Sequence, residues 1–437
     1  MTQEYQQLYH QYGELILDSF KQFAIYMYGY RCLLSSGNAT DGELNFFRLS
    51  YCAWFYSMEN CIILREHIRA SDKNIEIERL YSIRRMLVSI YEMNKHLFGV
   101  EEQTEKRSLW SITKPLLMQT YAHECNDIDM EIKSFKDDFV NLSTKNSRGV
   151  FEHYADTPEH FEQEMKKLKA EVGDIHMFRF IQIISKIAQL AAKCISDDGY
   201  LSKYLDRSIE IDNAPEMLPS DSLICLQRFL MVQSDKQVGY IQTFASFYGL
   251  AEAVSEGMTD SLRYKVRILK DFNELQFLCT QIRRDISYAL LSVTASDSRV
   301  EQFLNVRYVF RHVHEGFKRI YGFTSNSQDE TSYWARCVKP YIHGIDDEMI
   351  IAQFNEMDAL LKDYSDEEIK DEKKRAVLTH IRVKTKKQND YIPELMDWCQ
   401  STSIISELSV LTDFQQTIMK LSDFTNILCK EIIKTIQ

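Results

Sequence analysis

Very little in this chain would interrupt a helix. Glycine occurs 14 times and proline six times among 437 residues, and these two residues are the strongest local breakers of regular structure. So few breakers over such a length leave long uninterrupted elements, with helix the favoured kind. The segments FRFIQIISKIAQLAAKCI (178–195) and FQQTIMKLSDFTNILCKEII (414–433) place apolar residues at three- and four-residue spacing, as a helix with one buried face requires. IEIERLYSIRRMLVSIYEMNKHLF (75–98) sets an apolar stripe beside a charged face. Asn-Gly hairpin signals between alternating apolar runs are absent. The expected fold is all-α.

The prolines outline the organisation. Pro215 and Pro219 lie in the polar stretch SDDGYLSKYLDRSIEIDNAPEMLPSDS (196–222), which has the composition of a linker. The other four fall in matched contexts: Trp110, Lys114 and Pro115 align with Trp334, Lys339 and Pro340, and Pro158 with Pro393. Further landmarks keep the same order. Tyr28-Gly29 and Gly37 match Tyr248-Gly249 and Gly257, while Arg84, Glu92, Lys95 and Phe98-Gly99 match Arg307, Glu315, Lys318 and Tyr321-Gly322. The offset drifts only from about 220 to 227 residues until a small insertion after the second motif, too long for a solenoid unit. These matches predict two tandem homologous helical bundles, residues 1–196 and 222–437, related by internal duplication and joined by a linker over 197–221. Each bundle is expected to hold about five or six helices.

Several function classes find no support. The N-terminus, MTQEYQQLYHQYGELIL, lacks the charged-then-apolar pattern of a signal peptide. The richest apolar run, SYCAWFYSMENCIIL, is broken by Glu59 and Asn60, so no membrane partner is expected. Ten scattered cysteines without a CxxC read as reduced, mostly buried thiols of a cytoplasmic protein. His343 and His123-Glu-Cys125 lack companions at ligand spacing, so no metal is expected. No Walker loop, GxGxxG or GxSxG is present, and no cofactor is expected. A net charge of −12 argues against a surface that coats nucleic acid, but leaves room for a local basic cleft.

One short pattern occurs in both halves at matched positions. KNSRGVFEHYADTP (145–158) contains Arg148 and His153, and its counterpart KKRAVLTHIRVK (373–384) contains Arg375 and His380 at the same R-x4-H spacing. Lys145 upstream is answered by Lys373 and Lys374. A third pair, Arg307 and His312, is not repeated, because His312 falls opposite Ser89; it reads as a chance match.

With these residues the chain resembles the HEPN superfamily, helical ribonuclease domains marked by an R-x4-6-H motif. The resemblance covers most of each half as a fold expectation, and its specificity rests on the motif and its helical setting. It implies a metal-independent endoribonuclease with a composite site made by Arg148, His153, Arg375 and His380. It also implies an RNA substrate, cleavage to a 2′,3′-cyclic phosphate and a 5′-hydroxyl, and a role in phage defence or as a toxin held by a protein antitoxin or regulatory partner.

The residue types suit that chemistry. Histidine changes charge near neutral pH and serves as base or acid, while a guanidinium binds two phosphate oxygens and stays protonated. On a regular helix, positions five apart point about 140° from each other. One motif therefore converges poorly, whereas two facing motifs converge well. Pro158, five residues on, is expected to end the first motif's helix soon after His153, and a helix C-terminus favours a protonated imidazole.

Around the second motif, Lys373, Lys374, Arg382, Lys384, Lys386 and Lys387 form the densest basic stretch, either an RNA contact or a solvated loop. Trp110 and Trp334 read as packed helix starts rather than base-stacking platforms. FAIYMYGY (23–30) reads as packing, an interdomain face or an oligomer surface, which leaves a homodimer open. The alternative reading is a catalytically inactive HEPN-like scaffold that binds protein or RNA; Gly149, Ala376 and the acidic balance favour it.

Overall fold

The computed structural model describes residues 3–72, 76–99, 108–140, 160–161, 163–166, 174–197, 199, 201–206, 213–217, 259–322, 332–370 and 391–436. Every regular element among them is helical, as the scarcity of breakers predicts. In the N-terminal half these are α1 (Gln3–Ser35), α2 (Asp41–Asp72), α3 (Glu76–Leu97), α4 (Leu109–Leu117), α5 (Ala122–Val140) and α6 (Asp174–Asp197). In the C-terminal half they are α7 (Asp260–Thr294), α8 (Arg299–Ile320), α9 (Lys339–Ile342), α10 (Glu348–Lys370), α11 (Tyr391–Ser401) and α12 (Ile404–Ile436). A π-helical turn, Trp334–Val338, leads directly into α9.

Local chemistry fixes the helix ends. Thr40 and Glu43 form a reciprocal capping box at the start of α2: the Thr40 hydroxyl accepts from the Glu43 amide at 3.3 Å, and the Glu43 carboxylate accepts from the Thr40 amide at 2.7 Å. Ser108, Thr259 and Ser298 cap α4, α7 and α8 in the usual N-cap manner. Just past α3 and α8 stand Gly99 and Gly322, with φ of 73° and 86°. That left-handed turn ends each helix without a Cβ clash.

Helices α2 and α7 run through the middle. Nearly every α2 side chain from Leu44 to Ala70 is buried, and so is most of α7 from Ile268 to Val293. Around α2 pack α1, α3, α4 and α6; around α7 pack α8, α12 and the π turn, with α3 touching it from the other half. Buried apolar side chains from both halves join in one continuous cluster reaching from Ile16 to Ile432. Among the described residues no helix is long and apolar enough to cross a membrane. Glu59 and Asn60, which break the richest apolar run, are themselves buried at the centre of α2.

One local arrangement occurs in each half. The Trp110 indole N–H donates to Asp129 at 2.7 Å, and Lys114 pairs with the same carboxylate. The Trp334 indole donates to Asp358 at 2.6 Å, and Lys339 lies 3.8 Å from that carboxylate. Both tryptophans are buried, and Trp334 stacks on Phe354 with ring centroids 5.2 Å apart. FAIYMYGY packs inward on α1 with the exception of Tyr28, which is 43% exposed.

The polar stretch between the halves is tied to the C-terminal half. Asn213 accepts from the Arg299 and Val300 amides at the start of α8, at 3.0 and 2.9 Å. Glu216 receives the Ser403 hydroxyl and the Ile404 amide at 2.7 Å each, capping α12. Those bonds, with Arg299 nearby, hold the Glu216 carboxyl below its ordinary range although burial pushes the other way.

Candidate functional site at the junction of the halves

A polar seam lies where α2 and α3 meet α7 and α8. On α3, Tyr81, Arg84, Arg85 and Val88 share one face by their three- and four-residue spacing. On α8, Arg307, Tyr308, Arg311 and His312 do the same. The charged face of α3 is therefore turned towards the other half rather than to water, and Arg84 and Arg85 are 3% and 4% exposed. A charge buried this deeply requires a partner.

The partners are reciprocal. Arg84 of α3 donates to both carboxylate oxygens of Asp285 on α7, at 3.0 Å each. Arg307 of α8 pairs with Glu59 on α2 at 3.2 Å, and the Tyr308 hydroxyl donates to the same Glu59 oxygen at 2.5 Å. Each half thus sends an arginine from one helix into an acid on the other half's central helix. Arg85 completes the seam, donating to Glu66 at 2.5 Å within its own half and to Asn305 on α8 at 2.8 Å. At the edge, Arg65 of α2 binds both oxygens of Glu301 at 2.9 Å and also pairs with Asp297.

Aromatic groups seal the seam. Tyr81 stacks on Tyr288 of α7 at 4.9 Å between centroids, and its hydroxyl meets His312 Nε2 at 2.8 Å. The Arg85 guanidinium lies 3.6 Å from the centre of the Tyr308 ring. Among the described residues, two small cavities border the seam. One, of about 30 Å³, lies between α3 and α8 and is lined by Tyr81, Arg84, Arg85, Val88, Tyr308, Arg311 and His312. The other, of about 20 Å³, shares Tyr308 and Arg311 as a wall and extends past Glu59 and Arg307 towards Glu92 and His96.

The electrostatics describe a locked network. Burial raises the Asp285 pKa, but Arg84 and Arg284 beside it outweigh that and hold it at about 2. Burial pushes His312 down to about 3; Asp285 opposes this, and Arg84, Arg311 and Arg85 add to it. At neutral pH this imidazole is uncharged and too weakly basic for proton transfer. Arg307 and His312, the R-x4-H pair that reads as chance in the sequence, therefore serve to join the halves. Their signal was present as Arg84 aligned with Arg307; what sequence could not supply was the acid facing each.

The predicted site residues Lys145, Arg148, His153, Lys373, Lys374, Arg375, His380, Arg382, Lys384, Lys386 and Lys387 lie outside the described residues. The chain beyond each motif is anchored at the junction. Eight positions past His153, the Phe161 ring packs against Phe277 of α7 at 5.8 Å and lies 5.3 and 5.7 Å from the Arg84 and Arg284 guanidiniums. Beyond His380, the Pro393 carbonyl accepts from Arg31 of α1 at 3.0 Å, and Arg31 also grips Asp397 through two bonds. Trp398 of the same helix packs edge-on against Phe303 of α8 at 4.8 Å.

A second, open feature lies between α5 and α6, a groove of about 690 Å³. The α5 wall carries Glu124, Asp127 and Glu131 and the α6 wall Arg179, Lys186 and Lys193, over a floor of Ile128, Ile183 and Leu190. Lys186 reaches across it to Glu131. Among the described residues no three His, Cys, Asp or Glu side chains converge to hold a metal ion. The nine described cysteines are unbridged, and six of them are buried.

Comparisons with models of protein families, with curated proteins and with solved structures find no match to this chain.

Proposed function

We propose that the chain is a tandem HEPN-like endoribonuclease, formed by duplication of one helical bundle, whose two R-x4-H motifs act together on RNA without a metal. The observation that carries this reading is the reciprocal pairing across the junction, Arg84 with Asp285 and Arg307 with Glu59. Such an exchange is what two copies of one bundle make when they face each other about an approximate twofold axis. The repeated Trp–Asp–Lys clusters and the paired glycine turns at Gly99 and Gly322 support the same duplication. Phe161, eight residues past His153, touches Arg84 of the N-terminal half and Phe277 of the C-terminal half, and Pro393, thirteen past His380, is held by Arg31 of the N-terminal half. Tethers of at most about 29 and about 47 Å are compatible with a common location for the two motif segments.

In this reading one histidine removes the proton of a 2′-hydroxyl and the other protonates the leaving 5′-oxygen. Arg148 and Arg375 hold the phosphate whose charge rises in the transition state. The basic residues following the second motif guide the RNA backbone, and the activity is cytoplasmic and restrained by an antitoxin-like or regulatory protein. Incubation of the purified chain with single-stranded RNA in EDTA tests the reading. Cleavage that leaves a 2′,3′-cyclic end and is lost in His153→Ala and in His380→Ala is expected; no cleavage, or cleavage that neither change affects, overturns it. A catalytically silent scaffold is the second reading. It draws on one observation: Arg307 and His312, the R-x4-H pair among the described residues, are sealed in a structural network.

A further inference from the structure

The cavity between α3 and α8 is unusual for its lining. Three guanidiniums, Arg84, Arg85 and Arg311, border it together with Tyr81, Tyr308 and His312, and no carboxylate does. The acids that pair with Arg84 and Arg85, Asp285 and Glu66, are not part of the cavity wall. Arg85 is 4% exposed and keeps its Nε–H without an acceptor, although its two terminal nitrogens are bonded. An orphaned donor at such depth points to a missing acceptor. The lining aromatic side chains direct no negative group into the space: Tyr308 donates its hydroxyl to Glu59, and the Tyr81 hydroxyl is engaged with His312.

The size narrows the choice of acceptor. A volume of about 30 Å³ is roughly the share of one water molecule in the liquid. A monatomic anion fits such a space, and guanidinium N–H groups are natural ligands for it.

We propose that this cavity is a halide site, occupied by chloride under physiological conditions, which links α3 of the N-terminal half to α8 of the C-terminal half. The bound ion accepts from the Arg85 Nε–H and lies beside Arg84 and Arg311. At His312, which borders the same space, burial favours the neutral ring, Asp285 opposes this, and the arginines add to it. Halide binding to the folded chain alone stabilises it by mass action. The proposal is independent of any nuclease activity, because none of its residues belongs to the two proposed catalytic motifs.

Two measurements on the full chain test it. Thermal unfolding is followed in sodium glutamate with increasing sodium chloride or bromide at constant ionic strength. A saturable rise in midpoint is expected, about 3 °C at a hundredfold excess over Kd for a chain of this length, and it is lost in Arg311→Gln. To separate ion binding from any effect of Arg311→Gln on folding, the second measurement uses the unaltered protein: anomalous diffraction from bromide-soaked crystals. A bromide peak among Arg84, Arg85 and His312 supports the site. A cavity holding only water in that map, or a midpoint that follows ionic strength regardless of the anion, overturns it.

Discussion

Arg84 on α3 holds Asp285 on α7 through two parallel hydrogen bonds of 3.0 Å, in surroundings where the acid is wholly shielded from water. The two residues are 201 positions apart, and their pairing joins one half of the chain to the other. Removing one partner leaves the other charge buried and uncompensated. Arg84→Met and Asp285→Leu should each cost about 3–5 kcal/mol, whereas the double replacement should recover most of that loss. Urea unfolding of the four proteins checks this through their midpoints. Equal, additive losses would show that the pair is not coupled.

Asp285 also sets an acid limit. Its folded pKa of about 2 lies below the ordinary 3.8, so the unfolded chain binds more protons between those values. The stability it contributes is complete above about pH 4 and is lost as the pH falls towards about 2. In Asp285→Asn this part of the pH dependence should vanish, as measured by unfolding midpoints across that range.

His312 acts in a higher window. Its folded pKa of about 3 lies below the ordinary 6.5, so the neutral ring favours the fold and acidification opposes it. Stability should decline as the pH drops from about 6.5 towards about 3, by up to about 1.4 kcal/mol per unit. His312→Gln should flatten that slope. Proton–nitrogen NMR gives an independent check: the ring should stay neutral at pH 5, where a histidine with an ordinary pKa is mostly protonated.

The two tryptophan clusters predict matched losses. Asp129→Ala and Asp358→Ala each orphan an indole donor and release a lysine, at a cost of about 1–2 kcal/mol. Trp334→Ala empties a site that is 1% exposed and should cost about 3–5 kcal/mol. Denaturant midpoints followed by tryptophan fluorescence measure the aspartate variants; circular dichroism serves for the tryptophan variant.

Much of this was legible in one dimension. Sparse glycine and proline predicted long helices, and the Trp110–Lys114 and Trp334–Lys339 landmarks marked side chains that share an aspartate within each half. The junction was not legible. IEIERLYSIRRMLVSIYEMNKHLF shows a charged stripe, and charge alone does not distinguish a face that meets water from one that meets an opposite charge on a distant helix. Glu59 was informative only as an interruption of an apolar run, while its partner Arg307 lies 248 positions away. Lone histidines are similarly ambiguous. His312 belongs to an R-x4-H spacing yet is held neutral by burial, which no spacing reveals.

The central claim is that Arg148 with His153 and Arg375 with His380 form one working site. Its most direct test is the rate of cleavage of a single-stranded RNA in EDTA by the unaltered chain, by His153→Ala and by His380→Ala. A composite site yields 2′,3′-cyclic phosphate products and a loss of about 10²-fold or more in each single variant, since each histidine supplies one proton transfer to the same reaction. Absence of cleavage by the unaltered chain, or a variant that retains the full rate, would contradict it.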